Sequence, residues 1–91
     1  MAEAVRRRVV AGGRVQGVFF RDGCRRQARR HGVSGWVTNR SDGSVEAVFE
    51  GPPDAVAALV DWARHGPRSA SVDSFTETEE PVQGENGFRV T

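Results

Sequence analysis

Val33-Ser34-Gly35-Trp36-Val37-Thr38-Asn39, then Arg40-Ser41-Asp42-Gly43, then Ser44-Val45-Glu46-Ala47-Val48-Phe49-Glu50, reads as two strands joined by a tight turn. Asp-Gly between two β-prone runs signals a hairpin, because glycine supplies the positive φ that such turns need. In the second run Val45, Ala47 and Phe49 share one face while Glu46 and Glu50 share the other, the alternation of a strand buried on one side. A hairpin with one apolar face must lay that face against something else. The flanking sequence supplies it.

Upstream, Arg21 to His31 has helical spacing. Cys24 and Ala28 stand four apart with Phe20 a turn earlier, and Arg25, Arg26, Arg29 and Arg30 take the outer positions. Gly32 suits the position just past a helix end. Before this helix, Val5 to Ala11 predicts a strand: Val5, Val9 and Ala11 share one parity, and Arg6, Arg8 and Val10 the other, with Gly12 and Gly13 expected to end it. Downstream, Gly51-Pro52-Pro53 stops the hairpin and presets a helix start. Ala55 to His65 carries Val56, Leu59, Val60 and Ala63 at helical spacing, with Arg64 and His65 at the negative end and Gly66-Pro67 beyond. Ala70 to Thr78 predicts a fourth strand in which Val72 and Phe75 differ in parity, so either a bulge intervenes or one of them faces away. Glu79 to Asn86 is expected to be a polar loop, and Phe88 and Val90 a short closing strand. The order β-α-β-β-α-β is the split βαβ, or ferredoxin-like, arrangement: an α+β fold with one antiparallel sheet covered on one face by two helices.

Length agrees. Ninety-one residues at 9.9 kDa make a single domain over 1–91, since two halves would each be too short to bury a core. Hydrophobic residues at 37%, charged residues at 27% and a mean hydropathy of −0.50 fit a soluble globular domain. The longest apolar run, Ala55 to Val60, is far short of the ~20 residues that span a bilayer, and no apolar signal segment stands near the start. No membrane partner is expected. The single cysteine, Cys24, allows no internal disulfide, which makes a cytoplasmic setting the default. His31 and His65 lie too far apart for ordinary ligand spacing, so neither a metal nor a cofactor is expected. Charge is unevenly spread: every basic residue is Arg, residues 1–41 balance at +8, and residues 42–91 at −7. Such a split signals an anion or nucleic-acid site unless folding interleaves the two halves.

The chemically informative stretch is Gly13-Arg14-Val15-Gln16-Gly17-Val18-Phe19-Phe20-Arg21, which joins the first strand to the first helix. Free backbone N–H groups at such a junction donate to an anion, and the helix dipole favours negative charge there. Gly17 lets the chain curl, and Arg21 adds a planar fork that matches phosphate oxygens. Without Lys it is no Walker loop, and there is no G-x-G-x-x-G. On residues alone, a plain glycine-rich connection remains open beside phosphate binding.

Residues 13–21, together with Gly35-Trp36-Val37-Thr38-Asn39 and Asp42-Gly43-Ser44-Val45-Glu46, closely resemble the acylphosphatase family. The likeness runs on through Gly51, Trp62, His65-Gly66-Pro67 and Phe88-Arg89-Val90, so it covers nearly the whole chain. The resemblance implies hydrolysis of the carboxyl–phosphate bond of acyl phosphates, with a small-molecule acyl phosphate and inorganic phosphate as the partners, and a monomer. It places the phosphate cradle on the backbone amides of Val15, Gln16, Gly17, Val18, Phe19 and Phe20. The phosphate-binding arginine falls on Arg21 and the water-orienting asparagine on Asn39. The sequence departs from the family's commoner pattern at Gly23, Cys24, His31, Thr38 and Arg40, positions that bear on the first helix and on substrate preference.

Other candidates have plainer explanations. Cys24 reads as a small residue of a helix face, and His31 and His65 as cations at helix ends. Asp42 and Glu46 read as turn chemistry and a solvated face. Asn39 itself has a bland alternative, as a turn residue beside Ser-Asp-Gly. Two other function classes compete with the hydrolase: an RNA-binding module, for which the RNP1 pattern and tyrosine are absent, and a non-catalytic anion-binding module. No nucleic-acid partner is expected.

Overall fold

A computed structural model describes residues 3–91. Seven elements follow in order: β1 (Val5–Arg14), α1 (Phe20–His31), β2 (Ser34–Asn39), β3 (Val45–Gly51), α2 (Pro53–His65), β4 (Ser71–Glu80) and β5 (Phe88–Val90). The sheet has strand order β4-β1-β3-β2-β5. Its four longer strands pair antiparallel with one another, as the ferredoxin-like order requires, and β5 adds a short edge parallel to β2, which makes the sheet mixed rather than wholly antiparallel.

Both helices lie on one face. Val9 and Ala11 of β1, Val37 of β2, and Val45, Ala47 and Phe49 of β3 meet Cys24 and Ala28 of α1 and Val56, Leu59, Val60 and Ala63 of α2 in one buried core. The helices themselves touch closely. A Cβ on Gly23 would stand 2.6 Å from the Trp62 ring, and Phe20 meets the same ring edge-on at 5.4 Å. The mid-helix glycine, unfavourable by propensity, is therefore the gap that admits Trp62.

Several expected boundaries move. Strand β1 does not stop at Gly12-Gly13 but runs to Arg14, because β4 stays paired to its end, with Gly13 opposite Val72 and Arg14 opposite Ser71. Strand β4 continues through Glu79 and Glu80, which the sequence assigned to a loop, because Arg7 and Arg6 of β1 stand opposite them. The helices start at Phe20 and Pro53, earlier than the apolar spacing alone implies. The parity conflict in β4 resolves as a bulge. Gly12 pairs with Ser74 and Gly13 with Val72, so Asp73 is the extra residue, and Val72 and Phe75 both pack on the core.

The other face of the sheet carries an ionic network. Arg6 is 3% exposed and binds Glu80 at 3.0 Å, Glu85 at 3.0 Å and Glu50 at 3.3 Å. Arg8 binds Glu80 at 2.6 Å and also Glu46, and its guanidinium lies 5.4 Å over the ring of Trp36. Between Arg8 and Trp36, their pairing partner Val48 is fully buried. The basic and acidic halves of the sequence thus interleave here, and the aromatic ring of this face is capped by a guanidinium rather than free for stacking bases. Around the β1–α1 junction the balance differs: Arg14, Arg21 and Arg68 make no ion pair among the described residues.

Glu50 also ties down the chain that leads from β4 across to β5. Its carboxylate accepts the backbone N–H of Gln83 at 2.8 Å and that of Glu85. Burial opposes its ionisation, but these two amides and the Arg6 guanidinium outweigh burial and hold the carboxyl below its ordinary pKa. A depressed carboxyl stabilises the fold above the ordinary Glu pKa of about 4.3 and ceases to as pH falls through the folded value. Glu50→Gln is expected to cost about 2 kcal/mol by orphaning buried donors. For a domain of this size that lowers Tm by roughly 10 °C at neutral pH. The gap between variant and wild type should narrow below pH 4, and thermal melts at pH 7 and pH 3.5 measure it.

Candidate active site

Residues 15–20 are anchored from behind by Val15, Val18 and Phe20, which are buried, while Gly17 and Phe19 face outward. That alternation has a backbone counterpart. Gly17 has φ 73° and Phe19 φ 67°, whereas Gln16, Val18 and Phe20 keep negative φ. Such alternation of negative and positive φ is the backbone pattern of an anion-binding nest, in which successive N–H groups turn toward one point. Among the described residues no protein acceptor takes the amides of residues 15 to 20. The carbonyls, by contrast, are engaged at the back: Val18 accepts the Ser69 hydroxyl at 2.8 Å and Phe19 the Gly23 amide at 3.0 Å. Phe19 is the N-cap of α1 and offers no side-chain cap, so the helix N-terminus adds its free donors and its dipole to the same place.

Gln16 does more than lend an amide. Its Nε2 donates to the Arg40 carbonyl at 2.7 Å and the Ser44 carbonyl at 2.9 Å, stapling the loop to the β2–β3 turn. That turn is rigid in its own right. The Asp42 carboxylate accepts the Ser44 hydroxyl at 2.5 Å and the Ser44 amide at 2.9 Å, and these two bonds hold its pKa below the ordinary value. Asp42 is thereby fixed in the turn, while Glu46 sits on the sheet's open face with Arg8, so the two are no acid–base pair. The staple sets the end of β2, and with it Asn39, beside the loop.

A cleft of about 330 Å³ results, lined by Val15, Gly17, Phe19, Phe20, Arg21, Asp22, Arg25, Asn39 and Val90. Of the residues singled out in the sequence, Arg21, Asn39 and four of the six loop positions line it. Gln16 and Val18 do not, and the Gln16 side chain is spent on the staple. Arg21 is half-buried in the first turn of α1, and its Nη1 donates to the Thr91 carbonyl at 2.9 Å. Asn39 ends β2 opposite Val45, half-buried, and its side-chain amide has no hydrogen-bond partner among the described residues.

Three lining residues escaped the sequence. Arg25 stands four after Arg21 on a helix, hence on the same face, a spacing that could have found it. It binds Asp22 at 3.1 Å, and its shielded Nε has no acceptor. Asp22 also binds Arg26 at 3.1 Å. Val90 arrives only because β5 crosses to the far edge of β2, which local spacing does not encode.

The remaining candidates lie elsewhere. Cys24 is fully buried, and burial pushes its thiol far above the ordinary value, so no thiolate nucleophile exists there. His31 and His65 sit exposed at the ends of their helices. Among the described residues no group of three His, Cys, Asp or Glu could hold a metal ion, and no helix is long and apolar enough to cross a membrane.

Comparison with known proteins places the chain as a whole. The family model described as Acylphosphatase matches residues 7–90. An acylphosphatase of Gloeobacter violaceus is 53% identical over 90 residues, covering 99% of this chain and 97% of that protein. The structure of an acylphosphatase from Coxiella burnetii is similar at a TM-score of 0.91 and 38% identity, over 97% of this chain and 93% of that one. The crystal structure of acylphosphatase from Bacillus subtilis is similar at 0.91 and 34%, over 96% and 98%.

Proposed function

The chain belongs to the acylphosphatase family, and from that membership we propose which of its own atoms carry the reaction. The reaction is hydrolysis of the carboxyl–phosphate bond of acyl phosphates to a carboxylate and inorganic phosphate. The phosphoryl oxygens sit in the nest of amides from Val15 to Phe20, with the Arg21 guanidinium closing the cradle. What carries this reading is the alternating φ of residues 16–20, with six amides unspent beside Arg21.

An acyl phosphate is already activated, so the protein's work is to hold charge and place water. Asn39 accepts a hydrogen bond from that water and turns a lone pair toward phosphorus. The water oxygen forms the new bond to phosphorus. The bond from phosphorus to the carboxyl oxygen breaks, and its electron pair leaves on the carboxylate. The water's proton passes to a phosphoryl oxygen, so no side-chain nucleophile or base is called upon. Preorganised amides and a helix dipole cost no reorganisation as charge shifts in the transition state.

Inorganic phosphate is expected to inhibit benzoyl phosphate hydrolysis competitively, because it fills the same nest. Sulfate should do so more weakly at equal concentration. Initial rates over a grid of substrate and phosphate concentrations decide it, and purely noncompetitive inhibition would remove these amides from phosphate binding.

A further inference from the structure

Three large apolar side chains are conspicuously exposed among the described residues: Phe19 at 75%, Val82 at 48% and Val90 at 38%. Two of them, Phe19 and Val90, line the one cleft that holds Arg21 and Asn39. Phe19 is also the non-glycine residue with positive φ. The left-handed region is unfavourable for a residue with a Cβ, and glycine would hold the same backbone without strain. A strained position filled by a solvated aromatic ring gains nothing in the free protein. Strain at a ligand site calls for a role in binding.

We propose that Phe19 and Val90 form the wall that receives the acyl group, so that this enzyme favours acyl phosphates with an aromatic or bulky apolar acyl group over acetyl phosphate. The proposal rests on the phosphate placement above. With the phosphoryl group in the nest, the acyl group is the part of the substrate that extends along the rest of the cleft. A cleft of about 330 Å³ is within the usual range for small-molecule sites and exceeds what a phosphate alone occupies. Covering two exposed apolar surfaces then drives binding, and a planar ring on Phe19 adds stacking. The polar residues that share the lining do not compete strongly for an anionic acyl group, because Arg25 is engaged with Asp22 at 3.1 Å.

The test compares kcat/KM for benzoyl, acetyl and succinyl phosphate in the wild type, Phe19→Gly, Phe19→Asn and Val90→Ser. Glycine and asparagine both accept positive φ, so each keeps the loop backbone while removing the ring. The readout is the benzoyl-to-acetyl ratio relative to wild type, in which the intrinsic reactivities of the two substrates cancel. It is expected to fall about tenfold in both Phe19 variants and by roughly threefold in Val90→Ser, mostly through KM. An unchanged ratio in both Phe19 variants overturns the proposal. So does a wild type that prefers succinyl to benzoyl phosphate, which would assign acyl recognition to Arg25. If the wild type hydrolyses none of the three, the activity itself fails, a result separate from any change in ratio.

Discussion

Arg21→Lys is expected to lower kcat/KM at least on the order of 10²-fold, about 3 kcal/mol of transition-state stabilisation, comparable with removing an oxyanion donor. The charge survives this change, so the loss would come from geometry. The guanidinium is a planar fork, and one arm already donates to the Thr91 carbonyl at 2.9 Å. That bond fixes the plane and leaves the remaining N–H groups for phosphoryl oxygens. An ammonium on a flexible stem is a mobile point charge and cannot reproduce a fork held at one end. The inhibition constant for inorganic phosphate should rise with the loss in kcat/KM, because the same contact serves ground state and transition state. Wild-type kinetics in a folded Arg21→Lys would reduce Arg21 to a tie between the start of α1 and the end of the chain.

Local pattern made much of this molecule legible. The Asp-Gly hairpin, the two amphipathic helices and the glycine-rich junction each depend on residues near one another in sequence, where spacing and turn chemistry operate. The parity conflict of Val72 and Phe75 left a bulge as one of two readings, and only the pairing with β1 selects it and puts it at Asp73. The extent of the strands was not legible, because pairing across the sheet decides it. Gly12 and Gly13 look like a stop, yet β4 holds them in the ladder; Glu79 and Glu80 look like a loop, yet three arginines of β1 face that end of β4. Gly23 likewise has no local meaning until Trp62 arrives from α2.

The site divides the same way. The loop and Arg21 are contiguous, and their resemblance to one family carries Asn39 with them. Val90 depends on the crossover pinned by Glu50, and the second function of Gln16 depends on carbonyls of residues 40 and 44. Charge left two readings open in the sequence, and the fold realises the interleaved one on the sheet's open face. The +8 and −7 halves meet across β1, β3 and β4, while Arg14 and Arg68 make no ion pair among the described residues.

Asn39→Ala is expected to cut kcat by about 10²-fold or more while inorganic phosphate still binds. The competing explanation, that Asn39 merely shapes the turn, has a definite physical content that can be checked against the bonds present. Asp42 holds the turn through the Ser44 amide and hydroxyl; the Arg40 amide donates to the Ser44 carbonyl at 2.8 Å and the Gly43 amide to the Arg40 carbonyl at 3.1 Å. Gln16 then clamps both carbonyls from the loop side. None of these bonds uses the Asn39 side chain, so its removal should leave the turn, the nest and Arg21 standing. A small change in Tm is therefore expected alongside a large change in kcat. An amide suits the water-orienting role because it offers an acceptor and a donor without charge, beside a group that is already anionic. Asn39→Asp separates position from charge: it keeps an acceptor in place but sets a carboxylate against the phosphoryl dianion, and its kcat/KM should fall further than that of the alanine variant. Steady-state kinetics, phosphate inhibition and thermal melts on the two variants decide between the roles. A folded Asn39→Ala with turnover within a few-fold of wild type would take Asn39 out of the mechanism and leave the water to be positioned by the nest alone.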